Sequence, residues 1–80
     1  MSDHPKTLVE WKSYVGKLGP EELRAQAMAA NTTGFVKQLQ DEGVAAADIT
    51  AILTTFARRL SESGQALPTD GYLDLSKLAR

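Results

Sequence analysis

Residues 33–61, TGFVKQLQDEGVAAADITAILTTFARRLS, form the stretch whose reading decides the fold. Its second half carries Ile49, Ile52, Leu53, Phe56, Ala57 and Leu60 at i, i+3, i+4, i+7, i+8 and i+11, a single stripe along an α-helix. The spacing predicts a helix over 46–62, closed by Gly64. Ala45 stands where Ser or Thr would normally cap, with Asp48 at the third helical position. The missing cap oxygen costs on the order of 1 kcal/mol. Ahead of this helix, Gly43 is placed as the left-handed residue that ends its predecessor. Asp41 and Glu42 lie at the unfavourable end of that earlier helix dipole, softened by Lys37 four residues before Asp41.

Upstream, Ala25, Met28, Ala29, Thr32, Phe35, Val36 and Leu39 keep one helical register through Asn31-Thr32-Thr33-Gly34, four poor helix formers. A loop usually resets the phase. The register therefore predicts one helix from Pro20 to Glu42 with a soft or kinked centre, in preference to two short helices broken at Gly34. Such a helix is about 34 Å long at about 1.5 Å per residue, longer than its neighbours. Its overhanging Leu23, Ala25 and Met28 would find cover in a homodimer. Gly19-Pro20-Glu21-Glu22 marks its start: Pro20 at the first helical position, then two carboxylates facing the positive end of the dipole.

The first helix is predicted from Pro5 to Leu18, with Asp3 or His4 as cap and residues 1–4 as a loose end. Leu8, Trp11, Val15 and Leu18 make its apolar stripe, while Lys6, Glu10, Lys12 and Lys17 face solvent. Gly16 weakens it by up to about 1 kcal/mol relative to Ala. At the other end, Leu67-Pro68-Thr69-Asp70-Gly71 is turn chemistry. Asp74 is positioned to cap a short helix from Leu75 to Ala79. The tail over 66–80 carries Tyr72, Leu73, Leu75 and Leu78, too apolar to float; it straps across the bundle or docks on another chain.

The expected fold is all-α: one domain over 1–80, a three-helix bundle built from a helical hairpin and an N-terminal helix, with a C-terminal strap or short fourth helix. The predicted core is Leu8, Trp11, Val15, Leu18, Met28, Phe35, Val36, Leu39, Ile49, Ile52, Leu53, Phe56 and Leu60. Eighty residues are near the lower limit for a core without staples, and there is no Cys to supply a disulfide. That points to a reducing compartment, with the cytosol as the expectation. No signal pattern or membrane-length apolar run is present. The helix starts Gly19-Pro20-Glu21-Glu22-Leu23 and Asp48-Ile49 are of a kind common among bacterial helical proteins and identify no family.

Chemistry is sparse. A net charge of −1 argues against a strong nucleic-acid field and against massed carboxylates. His4 is the lone histidine, so no metal site is expected. The Asp41/Glu42 and Asp70/Asp74 groupings read as helix-end and turn residues rather than a calcium loop. Ser13, Ser61, Ser63 and Ser76 have no base at readable spacing, and no phosphate-binding glycine loop is present, so neither catalysis nor a cofactor is expected. Asn31-Thr32-Thr33 matches a glycosylation acceptor by coincidence.

These readings predict a non-catalytic protein–protein interaction module, regulatory or inhibitory. Its contact residues are expected to be Tyr14, Leu23, Met28, Tyr72, Leu73, Leu75 and Leu78. Trp11 is expected inside and Tyr14, off the main stripe, outside. The alternative is a helix-turn-helix nucleic-acid regulator, for which Leu39, Gly43, Val44, Ile49 and Ile52 are tolerably spaced. Against it, the start of the 46–62 helix offers Ala45, Ala46, Ala47 and Asp48 where base-reading side chains are needed, and Arg58 and Arg59 lie at the far end.

Overall fold

The computed structural model describes Pro5 and residues 7–79. The order is α1 (Leu8–Gly16), α2 (Pro20–Ala30), α3 (Thr33–Asp41), α4 (Ala46–Glu62) and α5 (Leu75–Leu78), with no strand among the described residues. The architecture is a small all-helical bundle. Its centre is α4, which packs against each of the other four helices. The six stripe residues Ile49, Ile52, Leu53, Phe56, Ala57 and Leu60 are all buried, as their periodicity predicts. A 17-residue helix wrapped by four shorter ones buries one full face and leaves Thr50 and Arg58 outside.

The ends of α4 follow the sequence closely. Ala45 is its N-cap and supplies no side-chain hydrogen bond. Before it, Gly43 adopts φ +89°, the Gly43 N–H donates to the Gln40 carbonyl and the Val44 N–H to the Leu39 carbonyl. These two bonds satisfy carbonyls that α3 would otherwise leave open.

Two helix boundaries depart from expectation. The first helix starts at Leu8 rather than Pro5. Thr7 caps it through a reciprocal pair: Glu10 N–H to Thr7 Oγ1, and Thr7 N–H to Glu10 Oε1, each 3.2 Å. Two satisfied donors outweigh the fixed φ that Pro5 offers. The predicted caps Asp3 and His4 lie outside the described residues.

The larger correction concerns the helix predicted over 20–42, which is two helices. The break falls at Asn31 and Thr32 rather than at Gly34. Asn31 leaves the helical region at φ −90°, ψ 50°, and Thr32 is extended at φ −129°, ψ 154°. The Thr32 hydroxyl accepts from the Phe35 N–H at 3.2 Å and donates to the Ala29 carbonyl at 2.9 Å, serving the end of α2 and the start of α3 together. Asn and Thr compete for backbone hydrogen bonds in this way, which is why they favour caps over helix interiors.

The break resets the phase. The buried face of α2 is Leu23, Ala27 and Ala30, whereas Ala25, Met28 and Ala29 are exposed; α3 buries Val36 and Leu39. Met28, expected in the core, is 52 % exposed. Leu8, Leu18 and Phe35 are half-buried at the core margin, and Leu23, Ala27, Ala30 and Leu75 join the core. Of the three residues expected to overhang, Leu23 is buried while Ala25 and Met28 stay exposed.

The tail packs on its own chain. The Gln65 side chain donates to the Pro20 carbonyl and the Arg24 guanidinium to the Ala66 carbonyl, so the tail leaves α4 beside the first turns of α2. It then reaches Asn31 at the other end of α2. There the Asn31 side chain donates to the Leu73 carbonyl and accepts from the Leu73 N–H, both at 2.8 Å. The Asn31 carbonyl accepts from the Tyr72 N–H at 3.0 Å. Asn31 is 2 % exposed, so its amide nitrogen is engaged and sequestered rather than available to a glycan. Gly71 is pressed against it: a Cβ there would lie 2.5 Å from Asn31 Nδ2, and φ is +151°. Asp74 caps α5 through the Ser76 N–H, and Leu75 is fully buried.

Candidate functional site

Because α1 packs extensively only on α4, and α3 reaches α4 from another side, a valley opens between α1 and α3. It is a cleft of about 500 Å³ lined by Pro5, Trp11 and Tyr14 from the N-terminal segment, Gln26 from α2, and Phe35, Gln38, Leu39 and Glu42 from α3 and its end. That volume lies within the range typical of ligand and side-chain binding sites.

Aromatic geometry shapes it. Trp11 meets Tyr14 edge-on at 5.8 Å and 87°, and Phe35 at 5.5 Å and 81°. On the core side it meets Phe56 at 6.2 Å and 62°. Trp11 is thus held by three rings in the edge-to-face orientation that quadrupoles favour. It is 6 % exposed, whereas Tyr14 and Phe35 are half-buried and retain free surface. Trp11 Nε1 is buried without a hydrogen-bond acceptor; among the described residues only Arg59 Nε shares that condition. A buried N–H left unmade costs about 1–3 kcal/mol, so such a donor calls for an explanation.

Among the described lining residues Glu42 is the one with a formal charge. Gln38 approaches that carboxylate at 3.4 Å, a long and weak contact. Gln26, Gln38 and Glu42 are exposed and form the rim; Trp11 and Leu39 are buried and form the floor.

The seven predicted contact residues are scattered by the fold. Tyr14 is at the cleft. Met28 lies in a separate shallow groove of about 350 Å³ with Pro20, Glu21, Arg24, Ala25 and Gln65. Tyr72 is 44 % exposed on the strap, and Leu73 and Leu78 are half-buried against the core. Leu23 and Leu75 offer no surface at all, being 1 % and 0 % exposed. Both side chains are spent on the core. Phe35, Gln38 and Glu42 line the cleft beside Tyr14. The register of Phe35 predicts only a core position; nothing in local spacing reveals that residues 11 and 35 meet.

A third concavity, about 320 Å³, lies between α1 and the outer face of α4, lined by Lys12, Ala47, Thr50, Ala51, Thr54, Thr55 and Arg58. The Thr54 and Thr55 hydroxyls donate to the carbonyls one turn earlier. No group of three or more His, Asp or Glu that could hold a metal ion occurs among the described residues, and among them no helix is long and apolar enough to cross a membrane.

Fold and site together define a small all-helical protein with an aromatic cleft. No family model matches the chain, and no curated protein or solved structure matches it.

Proposed function

We propose that this protein is a non-catalytic protein-binding module whose contact surface is the cleft between α1 and α3, with the tail as part of the scaffold. The observation that carries this reading is the aromatic wall: Tyr14 and Phe35, half-buried, each packed edge-on against a buried Trp11. Aromatic side chains preset by packing lose little entropy on binding and dominate contact energetics. Placing a photo-crosslinking residue at Gln38 on the rim, at Met28, or at Thr50 on the opposite face tests it. In extracts of the source cell, a discrete adduct from position 38 that disappears with Tyr14→Ala is expected. Equal labelling from all three positions, or none from position 38, refutes the cleft as the contact surface.

A second reading is nucleic-acid binding through α4, favoured by Lys12 and Arg58 bracketing a shallow groove floored by small residues and Thr. Neither cation is in an ion pair with a carboxylate among the described residues. Two phosphate contacts would give a shallow salt dependence, a slope of about −2 in log–log form. Anisotropy of a labelled duplex from low to moderate salt decides it; a flat response removes the reading.

A further inference from the structure

We propose that the α1–α3 cleft receives a basic side chain, lysine or arginine, carried on a peptide segment of a partner protein. This rests on the cleft being the contact surface and adds the chemistry of its occupant. The argument is charge complementarity. Among the described residues that line the cleft, Glu42 is the only charged one, and none is a Lys, Arg or His. The walls are π-systems, with Tyr14 and Phe35 standing nearly perpendicular to Trp11 at 87° and 81°. The half-buried Tyr14 and Phe35 rings keep some surface, and an aromatic face attracts an alkylammonium or guanidinium group lying over it. The aliphatic stem of a Lys or Arg would lie along the rings while its charged end reaches Glu42 at the rim. A carboxylate occupant would meet Glu42 and the negative faces of the rings. A simple apolar one would leave Glu42 and the two glutamine amides unused.

Trp11 lies beneath this space, more than nine-tenths buried, with the Tyr14 and Phe35 rings packed on it, so its signals report on occupancy of the cleft.

Trp11 is the sole tryptophan, so its indole N–H gives a single, unambiguous signal in a proton–nitrogen correlation spectrum. Three capped tripeptides, acetyl-Gly-X-Gly-amide with X as lysine, norleucine or glutamate, are titrated into the full chain. The lysine peptide is expected to bind about two- to fivefold more tightly than the norleucine peptide, with the glutamate peptide weakest. The indole signal is expected to shift as the rings packed on Trp11 meet the peptide. Glu42→Gln, at an exposed position, is expected to bring lysine down towards norleucine without unfolding the chain. Equal binding of lysine and norleucine overturns the cationic occupant while leaving the cleft as an apolar docking surface. Preference for glutamate overturns it in the same way. No response from Trp11, Tyr14 or Phe35 to any peptide overturns this inference and counts against the cleft itself.

Discussion

Asn31→Ala is the perturbation that best separates this fold from its alternatives. The Asn31 side chain makes two 2.8 Å hydrogen bonds, one to the Leu73 carbonyl and one from the Leu73 N–H. Its own backbone carbonyl holds the Tyr72 N–H and would remain. Truncation to Ala therefore removes two bonds and leaves a half-buried peptide group short of a donor and an acceptor. At about 1 kcal/mol for each bond, rising where water cannot replace the lost partner, the loss is about 2–3 kcal/mol. A small domain holds only about 5–15 kcal/mol in total, and near this size each kcal/mol moves the midpoint by about 4–8 °C. The expected fall in Tm is therefore about 10–20 °C. Urea unfolding followed by circular dichroism measures it, and amide exchange locates it: protection at Leu73 should drop well ahead of that at Phe56. Asn31→Asp is the sharper companion. It keeps the acceptor for the Leu73 N–H but turns the donor into an oxygen facing the Leu73 carbonyl. It should be at least as destabilising as Ala near neutral pH. A loss below about 0.5 kcal/mol for Ala, with Leu73 still protected, would refute the view that Asn31 ties the tail to the bundle.

Other substitutions probe separate parts of the chain. Leu75→Ala empties a fully buried site and should cost about 2–5 kcal/mol in denaturant unfolding; a near-neutral result would mean that the tail does not pack in cis. Gly71→Ala places a methyl group against Asn31 in a backbone conformation that L-residues avoid, and a cost of at least about 1 kcal/mol is expected by the same measurement. Ala45→Ser supplies the cap oxygen that α4 lacks and should raise stability by about 0.5–1 kcal/mol, whereas an unchanged unfolding midpoint would mean the first turn is already satisfied. Met28→Gln, at a position 52 % exposed, should change stability by less than about 0.5 kcal/mol; a large loss would restore Met28 to the core.

The position of Asn31 also alters how the tail should be studied. Deleting residues 66–80 would remove Leu75 from the core and the partners of Asn31 together. Such a chain would report on folding before it reported on binding. Point substitutions in the cleft leave the strap in place, and those at the exposed Gln38 and Glu42 test the surface alone.

What the sequence determined by itself was whatever depends on neighbours along the chain. The extent of α4, its buried stripe, its uncapped start at Ala45, the left-handed Gly43 and the Asp74 cap of α5 all rest on residues within about four positions of one another. The same local reasoning carried α2 too far. Met28 to Leu39 did keep a helical spacing, but the real inward face of α2 runs through Leu23, Ala27 and Ala30. The break joins a local cap at Thr32 to a tail 42 residues further on that uses the Asn31 amide. No window around Asn31 contains that partner. The cleft was hidden for the same reason: Trp11, Phe35 and Glu42 share a wall only because α1 and α3 lean on α4 without closing on each other. Periodicity tells which face of a helix seeks cover; only the packed chain decides what covers it, and what is left open.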